Sequence, residues 1–322
     1  MRRRLFTAGL VATTHLAAWP QAARYPGKPI RWLVGFPAGG ASDVVVRHLA
    51  EPMRRELGQA IVVDNRPGAS GLLAVKALLQ APADGHTIMA AENTILMFNE
   101  HLYPKLDYSP ERDFSYIAAT ARVPMVLVVH PSFQARTLGE FIAYARANPG
   151  RINYASAGNT SSHCIAMELF QRAAGVELTH IPYKGGLPAV QDVIGGQVHS
   201  MMFDLTNGLQ NIRAGQVRPL AVASAHRIAS ISDVPAFPEL GFKQVVASIQ
   251  HGVVGPAAMP ASAVSVLNRQ INKAMDDAQI RQLLADAGAE PVQASPADFH
   301  RMVRLESQRW GEVIRTAGIR GD

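Results

Sequence analysis

Two short stretches rich in glycine and hydroxyl side chains carry the chemistry that the sequence suggests first. The stretch VGFPAGGASD, residues 34–43, lies between an apolar run and a helix-like segment, and YASAGNTSSH, residues 154–163, has the same design. Glycine lets backbone N–H groups approach a guest closely, and the start of a helix adds partial positive charge. Two such helix starts facing each other across a cleft predict a site for an anion, with a carboxylate as the leading candidate.

A simpler interpretation of each stretch stays open at this point. Many connections between a strand and a helix use Gly to leave the strand and Ser or Asp to cap the helix, and they bind no ligand. Neither stretch matches G-x-G-x-x-G or G-x-x-x-x-G-K-[ST], so a nucleotide phosphate is not predicted. The occurrence of two similar stretches favours a carboxylate site over two unrelated turns.

The candidate binding residues come from the loops that follow predicted strands. In open parallel sheets, ligands bind beyond the carboxyl ends of the strands, where loops lead into helices. The predicted ligand-binding residues are Phe36, Pro37, Ala38, Gly39, Gly40, Ala41, Asp43, Asn93, Ala157, Gly158, Asn159, Thr160, Ser161, His163, Tyr183 and Asp204. Among them, Asp204 ends an apolar strand, where its carboxylate can accept a hydrogen bond from an amine or hydroxyl of the ligand.

The sequence gives no support for catalysis or for a metal. His163, Tyr183, Lys184 and Asp204 could form an acid–base site on paper, but the G-x-S-x-G, H-E-x-x-H and S-x-x-K motifs are missing. The single cysteine, Cys164, excludes an internal disulfide and a cysteine-based zinc cluster, and it is interpreted as a small buried apolar residue. We therefore predict a protein that is not an enzyme, with no metal and no cofactor.

Strands and helices alternate along most of the chain. Apolar runs predict strands at residues 30–35, 60–64, 87–91, 125–130, 152–156, 178–181, 199–203 and 218–224. Helical periodicity between them predicts an α/β chain with mainly parallel sheets flanked by helices. From residue 261 onward the pattern is almost entirely helical, and we place this block on the first of two domains, the number that the length favours. The connections between the domains are then expected near residues 123–130 and 250–256.

The first residues and the charge balance predict an exported protein. Residues 1–23 have three arginines, a short apolar stretch and then Pro and Ala, which is the layout of a signal peptide; either the general or the twin-arginine export route fits. No later apolar stretch is long enough to span a membrane, so the mature chain is expected to be soluble. The formal charge of +6 includes the leader's arginines, and the other basic residues are scattered, so nucleic acid is not an expected partner.

The motifs occur in an order that identifies a family. The chain opens with YPGKPIRWLVGFPAGGASD and continues with VVDNRPGASG, ADGHTI, LYPKLDYSPERDFSYIA, INYASAGNTSSH, IPYKGGLPAVQDVIGGQVHSMMFD, AGQVRPLAVAS and DVPAFPELGF. In this order and over nearly all of the mature chain, they resemble the Bug-type extracytoplasmic solute receptors of tripartite tricarboxylate transporters.

The resemblance implies both an architecture and a function. It implies a type II-like periplasmic-binding-protein fold with a cleft between domain 1, residues 24–124 plus 253–322, and domain 2, residues 125–252. The carboxylate of a small organic acid would contact residues 36–43 and 157–161, and Asp204 would help to select its other polar groups. The expected protein is a periplasmic monomer that delivers the acid to the permease subunits of a tripartite transporter.

Departures from the family's pattern and two other functions accompany this expectation. Gln250-His251-Gly252 stands where the family usually has an aromatic W-x-G element, and Ser70 stands where Gly is usual. Both changes bear on which ligand is bound rather than on the fold. A ligand-sensing partner of a membrane signalling system and an exported enzyme that uses the same cleft are the alternative functions.

Overall fold

The computed structural model describes residues 25–321, except for the side chain of Ala41, so the expected signal peptide, residues 1–23, lies outside the described residues. The strands are β1 Ile30–Val34, β2 Ile61–Asn65, β3 Thr87–Glu92, β4 Phe114–Val129, β5 Asn153–Ser156, β6 Thr179–Pro182, β7 Ser200–Asp204, β8 Arg218–Val222, β9 Ser248–Pro256 and β10 Glu290–Pro291. The helices are α1 Ala41–Leu57, α2 Leu72–Leu79, α3 Asn99–Leu102, α4 Pro110–Asp113, α5 Leu138–Ala147, α6 Ser162–Ala174, α7 Gly186–Ile194, α8 Leu205–Arg213, α9 Ala261–Asp276, α10 Ala278–Asp286 and α11 Pro296–Ala317. A π-helical turn, Thr94–Phe98, precedes α3.

The strands form one continuous sheet with two halves. The order is β2-β1-β3-β9-β4-β7-β5-β6, and β8 and β10 also pair with β4. In the first half β1 is parallel to β2 and β3, and in the second half β5 is parallel to β6 and β7. The α/β class predicted from the alternating pattern is confirmed, and antiparallel strands join the two parallel groups.

Strands β4 and β9 connect the two halves. Residues 114–124 of β4 pair antiparallel with β9 in the first half, and residues 125–129 pair with β7 and β8 in the second. The sequence predicts only the second part of β4 as a strand, because its first part contains many small residues and lacks a continuous run of large apolar ones. The structure therefore differs from the prediction by one long strand that belongs to both halves, and by β9 and β10, which were not among the predicted strands.

Both faces of the sheet are buried, which accounts for the apolar runs. In β1, Ile30, Trp32 and Val34 pack into one core cluster, whereas Leu33 packs into the other on the opposite face. Alternate residues of a strand point to opposite faces, so a strand that is covered on both sides must be apolar throughout. Helices supply this cover on each side.

The C-terminal helices pack mainly on the first half. Helix α9 contacts α1 and β4, and α11 contacts β4 and the π-helical turn, with a further contact to α6 in the second half. Within residues 25–321, none of the helices combines the length and the apolar character that a membrane span requires.

Close packing between β7 and α8 fixes the end of β7, where Asp204 lies. An added Cβ atom at Gly208 in α8 would lie 1.5 Å from Cε1 of Phe203, whose side chain is fully buried. Helix α8 can therefore approach the strand this closely only with glycine at this position.

We predict that Gly208→Ala destabilises the protein, although alanine is the better helix former. Overpacking a buried site costs about 1–3 kcal/mol, which exceeds the helix propensity gained, about 1 kcal/mol. The control is Gly139→Ala in α5, where an added Cβ meets no atom within 4 Å, and this change is expected to be neutral or stabilising. Chemical denaturation measures both. Equal effects of the two changes would contradict the packing described.

Candidate functional site

A cavity of about 770 Å³ lies between the two halves of the sheet. Its wall contains the loops that follow β1, β5, β6 and β7, together with Glu92 at the end of β3 and Ile249 and His251 on β9. These loops lead into α1, α6, α7 and α8, so helix starts from both halves meet at one cavity. This is the position at which ligands bind in open α/β sheets.

Most of the residues predicted from the sequence lie in the wall of this cavity. The first loop contributes Phe36, Pro37, Ala38 and Gly40, the second contributes Ala157, Gly158, Asn159, Thr160, Ser161 and His163, and β7 contributes Asp204. The structure thus brings the two glycine-containing loops together from opposite halves.

Gly39, Asp43, Asn93 and Tyr183 do not contribute to the wall, although the sequence suggested them as binding residues, and the side chain of the fifth residue, Ala41, lies outside the described part of the chain. The carboxylate of Asp43 accepts a hydrogen bond of 2.9 Å from the Gly39 amide and one of 2.8 Å from Arg47. The amide Nδ2 of Asn93 donates to the Ser248 carbonyl at 2.8 Å, and the Tyr183 hydroxyl donates to Asp192 at 2.6 Å.

These contacts give Asp43 and Asn93 structural roles next to the cavity. Asp43 holds the shape of the first loop, and a third hydrogen bond, from Asn65 at 3.0 Å, ties that loop to the end of β2. Asn93 joins the end of β3 to β9, because its Oδ1 also accepts from the Gln250 amide at 2.9 Å. Asn65, Ser248 and Gln250 lie far from Asp43 and Asn93 in the chain, so local sequence patterns could not show these three contacts.

Three helices begin at the cavity without a side-chain cap. Helices α1, α2 and α7 have Gly40, Gly71 and Gly185 at their N-cap positions, and no side chain accepts a hydrogen bond there. In contrast, the Ser161 and Asp204 side chains cap α6 and α8. The first amides of a helix have no partner within the helix, so the glycine-capped starts direct amides and partial positive charge at the cavity, although the first amide of α2, from Leu72, already donates to the Ala69 carbonyl of the preceding turn.

The same signal, a glycine directly before a helix, is present in the sequence for α1, α2 and α7, and the predicted binding residues include it only for α1. Gly71 ends GASG and Gly185 lies in YKGG, and each glycine stands directly before a helix. Both line the cavity, and both have positive φ angles, +85° and +116°. A glycine before each predicted helix was therefore the signal that could have found them.

A buried histidine–aspartate pair lies in the wall of the second half. His163 Nε2 is 2.8 Å from Asp204 Oδ2, and Asn207 donates to Asp204 through its backbone amide and its side chain, each at 3.0 Å. Burial opposes ionisation of Asp204, but the His163 and Asn207 contacts outweigh it and lower the pKa of this carboxyl. Asp204 is therefore a buried anion in the cavity wall.

Two further buried groups, Glu92 and His251, were not predicted as site residues. They are paired across β3 and β9 and both line the cavity. The Glu92 carboxyl accepts from the Thr94 amide at 3.2 Å and from Ser162 Oγ at 3.4 Å, and burial raises its pKa. His251 Nδ1 lies 3.3 Å from Ser42 Oγ in the first turn of α1. The departure at residues 250–252 was the sequence signal for His251.

Ser70 forms a contact between the two halves at the cavity wall. Its Oγ is 2.8 Å from Thr160 Oγ1, and the Tyr103 hydroxyl donates to the same Oγ at 3.4 Å. Ser70 has a left-handed backbone with φ of +52°, a conformation that favours glycine. Its hydroxyl hydrogen-bonds across the cavity.

The structure does not bring together the four residues of the acid–base site considered from the sequence, which are His163, Tyr183, Lys184 and Asp204. Only His163 and Asp204 are in contact, since Tyr183 bonds Asp192 and Lys184 is exposed. Cys164 is buried, which raises the pKa of its thiol to about 12 and disfavours the reactive thiolate. Residues 25–321 contain no group of three or more His, Cys, Asp or Glu side chains that could hold a metal ion.

We predict that His251 makes the folded protein less stable in mild acid. Burial lowers its pKa from 6.5 to about 4, although the charge of Asp204 opposes the shift. Between these pH values the unfolded chain binds a proton that the folded chain does not, so stability present above about pH 6.5 is lost as the pH falls.

Measured from pH 7 to pH 4, the free energy of unfolding should therefore fall less steeply in His251→Gln than in the wild type. His226→Gln, at an exposed histidine, serves as the control and should keep the wild-type slope. If the free energy of unfolding falls with pH equally steeply in the wild type and in His251→Gln, then His251 is not held neutral in the folded protein.

Comparisons with known proteins place this chain among solute receptors. Residues 45–319 match the model of the tripartite tricarboxylate transporter family receptor. The Bordetella pertussis protein BugT is 35% identical, and the alignment covers 99% of each chain.

Solved structures agree in fold and in overall size. The R. palustris protein Rpa4515, solved with adipate, is 33% identical with a TM-score of 0.87, covering 92% of this chain and 99% of that one. MatC from Rhodopseudomonas palustris, solved with bound malate, is 30% identical with a TM-score of 0.83, covering 90% of this chain and 100% of that one. These likenesses confirm the two-domain periplasmic-binding-protein fold, and the chain belongs to the Bug-type receptors of the tripartite tricarboxylate transporter family.

Proposed function

We propose that this protein captures a small organic acid in the cavity between its two domains and delivers it to the permease of a tripartite tricarboxylate transporter. The observation that carries the proposal is the meeting of three glycine-capped helix starts at one cavity. Backbone amides and helix dipoles together bind anions without a lysine or arginine.

The strength of such binding is adequate for a receptor. A hydrogen bond from an amide to a charged acceptor contributes about 1.5–3 kcal/mol, so two or three of them suffice for micromolar affinity when apolar contacts are added. Phe36, Leu72, Tyr103, Leu187 and Ile249 supply apolar wall. The relatives solved with adipate and with malate support an organic acid as the guest.

The strand connections support closure of the domains around the acid. Within the described residues, β4 pairs with strands of both halves and the chain returns to the first half at β9, and we propose boundaries at residues 24–124 plus 253–322 for domain 1 and 125–252 for domain 2. Hinge closure around a ligand is a common motion of periplasmic binding proteins. The Asn93 bonds to Ser248 and Gln250 would fix where the bend occurs.

Location and assembly follow from the same proposal. A signal peptide at residues 1–23 would direct the chain to the periplasm, where it would work as a monomer that meets the permease subunits.

We predict that a carboxylic acid raises the melting temperature of the purified protein. Ligand at about 100 times its dissociation constant adds about 2.7 kcal/mol to the free energy of unfolding. A thermal-shift panel should include adipate, malate, citrate, amino acids, nicotinate and terephthalate, and the primary amides of the acids that bind serve as uncharged controls. If protein that was refolded to remove any bound acid is folded and no acid shifts it, the proposed function is wrong.

We also predict that Gly40→Asp abolishes binding without unfolding the chain. Gly40 has the extended geometry of an N-cap, so aspartate can cap α1 and occupy its amides. A carboxylate about 4 Å from the bound acid opposes it by about 3–4 kcal/mol at a dielectric constant of about 20, which is a loss of about 100-fold or more.

Two variants control for this result. Gly40→Asn has the same size without the charge and should weaken binding less than Gly40→Asp. Pro260→Asp adds the same acid at α9, which also lacks a side-chain cap but begins away from the cavity, and should leave binding unchanged. Unaltered affinity of Gly40→Asp in calorimetry would exclude the start of α1 from the binding site.

A further inference from the structure

Four of the buried polar side chains in the cavity wall are carboxylic acids and imidazoles. We call Glu92, His163, Asp204 and His251 the floor; all four line the cavity, and their side chains are among the most buried polar groups of the protein. Glu92 comes from β3, His251 from β9, and His163 and Asp204 from α6 and β7. The floor is therefore assembled from both halves and from a strand that joins them.

The floor contains acids and imidazoles without a permanent cation. Among the described residues that line the cavity, Lys184 is the single lysine or arginine, and it is exposed at the rim. A carboxylate of the ligand on the floor would face the buried Asp204 anion without a new positive partner. Like charges in a poorly solvated site oppose each other strongly.

The start of α7 does not supply the missing positive charge. A Cβ atom at Gly186, the first residue of α7, would lie 3.2 Å from Asn207 Nδ2 and 4.0 Å from Asp204 Oδ2. Asp204 is therefore close to this helix start and offsets its partial positive charge. The starts of α1 and α2, in the first half, remain for the ligand's carboxylate.

Unused hydrogen-bonding capacity remains on the floor. A carboxylate has about four acceptor positions, and the Asp204 oxygens accept from His163 Nε2 and from the two Asn207 nitrogens. His163 Nδ1 and His251 Nε2 are buried and have no partner within residues 25–321. Buried polar atoms without a partner are costly, so a ligand group that bonds to this region adds stability that an apolar end cannot.

We propose that the floor receives a hydrogen-bond donor, an amine or a hydroxyl, at the end of the ligand opposite its carboxylate. The preferred ligands are thus amino or hydroxy acids with one carboxylate at the starts of α1 and α2 and the donor at Asp204, rather than acids with a second carboxylate at that end. This inference rests on the proposed function and names the class of acid.

The test compares acids of equal length that differ only at the far end. Calorimetry with the wild-type protein uses 6-aminohexanoate, 6-hydroxyhexanoate, hexanoate and adipate, and the four-carbon set 4-aminobutanoate, 4-hydroxybutanoate, butanoate and succinate. In whichever set binds more tightly, the amino or hydroxy acid should have an affinity at least about tenfold higher than that of the diacid. A diacid that binds as tightly as both donor-bearing acids, or more tightly, overturns this inference and leaves the proposed function standing.

Absence of binding by all eight acids would overturn this inference, whereas the proposed function fails only if no acid of the thermal-shift panel stabilises the protein. The outcomes therefore separate the two failures.

Variants assign the preference to the floor. Asp204→Asn keeps the size of the side chain and can still cap α8. The ratio of the affinity for the amino acid to the affinity for the diacid should therefore fall toward one in this variant. Glu92→Gln is the second variant in case Asp204→Asn does not fold. Asp192→Asn, at an aspartate that contacts Tyr183 away from the cavity wall, is the matched control and should keep the wild-type ratio. An unchanged ratio in both floor variants would contradict the assignment.

Discussion

The first turn of an α-helix leaves backbone amides with no partner inside the helix, and this constraint organises the whole site. Serine or aspartate side chains satisfy these amides in α6 and α8, whereas α1, α2 and α7 begin with glycine at the cavity. We propose that a negatively charged guest takes the position that a capping side chain would otherwise occupy at α1 and α2. The proposed anion site then results from missing side chains and needs no arginine.

The rest of the structure positions these helix starts and limits what can bind to them. The parallel strands of each half place the loops at one edge, and β4 and β9 hold the two edges opposite each other. Asp43 uses its carboxylate to shape the first loop, and Ser70 contacts Thr160 across the cavity. At the floor, Asp204 and Glu92 would make the site asymmetric under the proposal that a ligand carboxylate binds at α1 and α2 and a hydrogen-bond donor binds at the floor.

The sequence shows those features that depend on neighbouring residues. Gly40 before an amphipathic segment, Gly158 before another, and Asp204 after an apolar run could all be found, since strand ends and helix starts are local patterns. Features that depend on distant partners could not be found. The pairing of Glu92 with His251 requires the antiparallel register of β3 and β9. Asp43 and Asn93 resembled ligand contacts because their partners at residues 65, 248 and 250 are set by the tertiary fold. The first part of β4 was missed because its small residues show no strand pattern, and its position in the sheet makes it a strand.

A crystal structure of the protein with the organic acid that stabilises it most tests the central claim directly. The account predicts that the oxygens of one carboxylate lie about 3 Å from backbone amide nitrogens in the first turn of α1, with atoms of both domains in contact with the acid. An acid held instead by the Lys184 side chain at the rim, or bound outside the cavity with the amides of α1 directed at water, would contradict it.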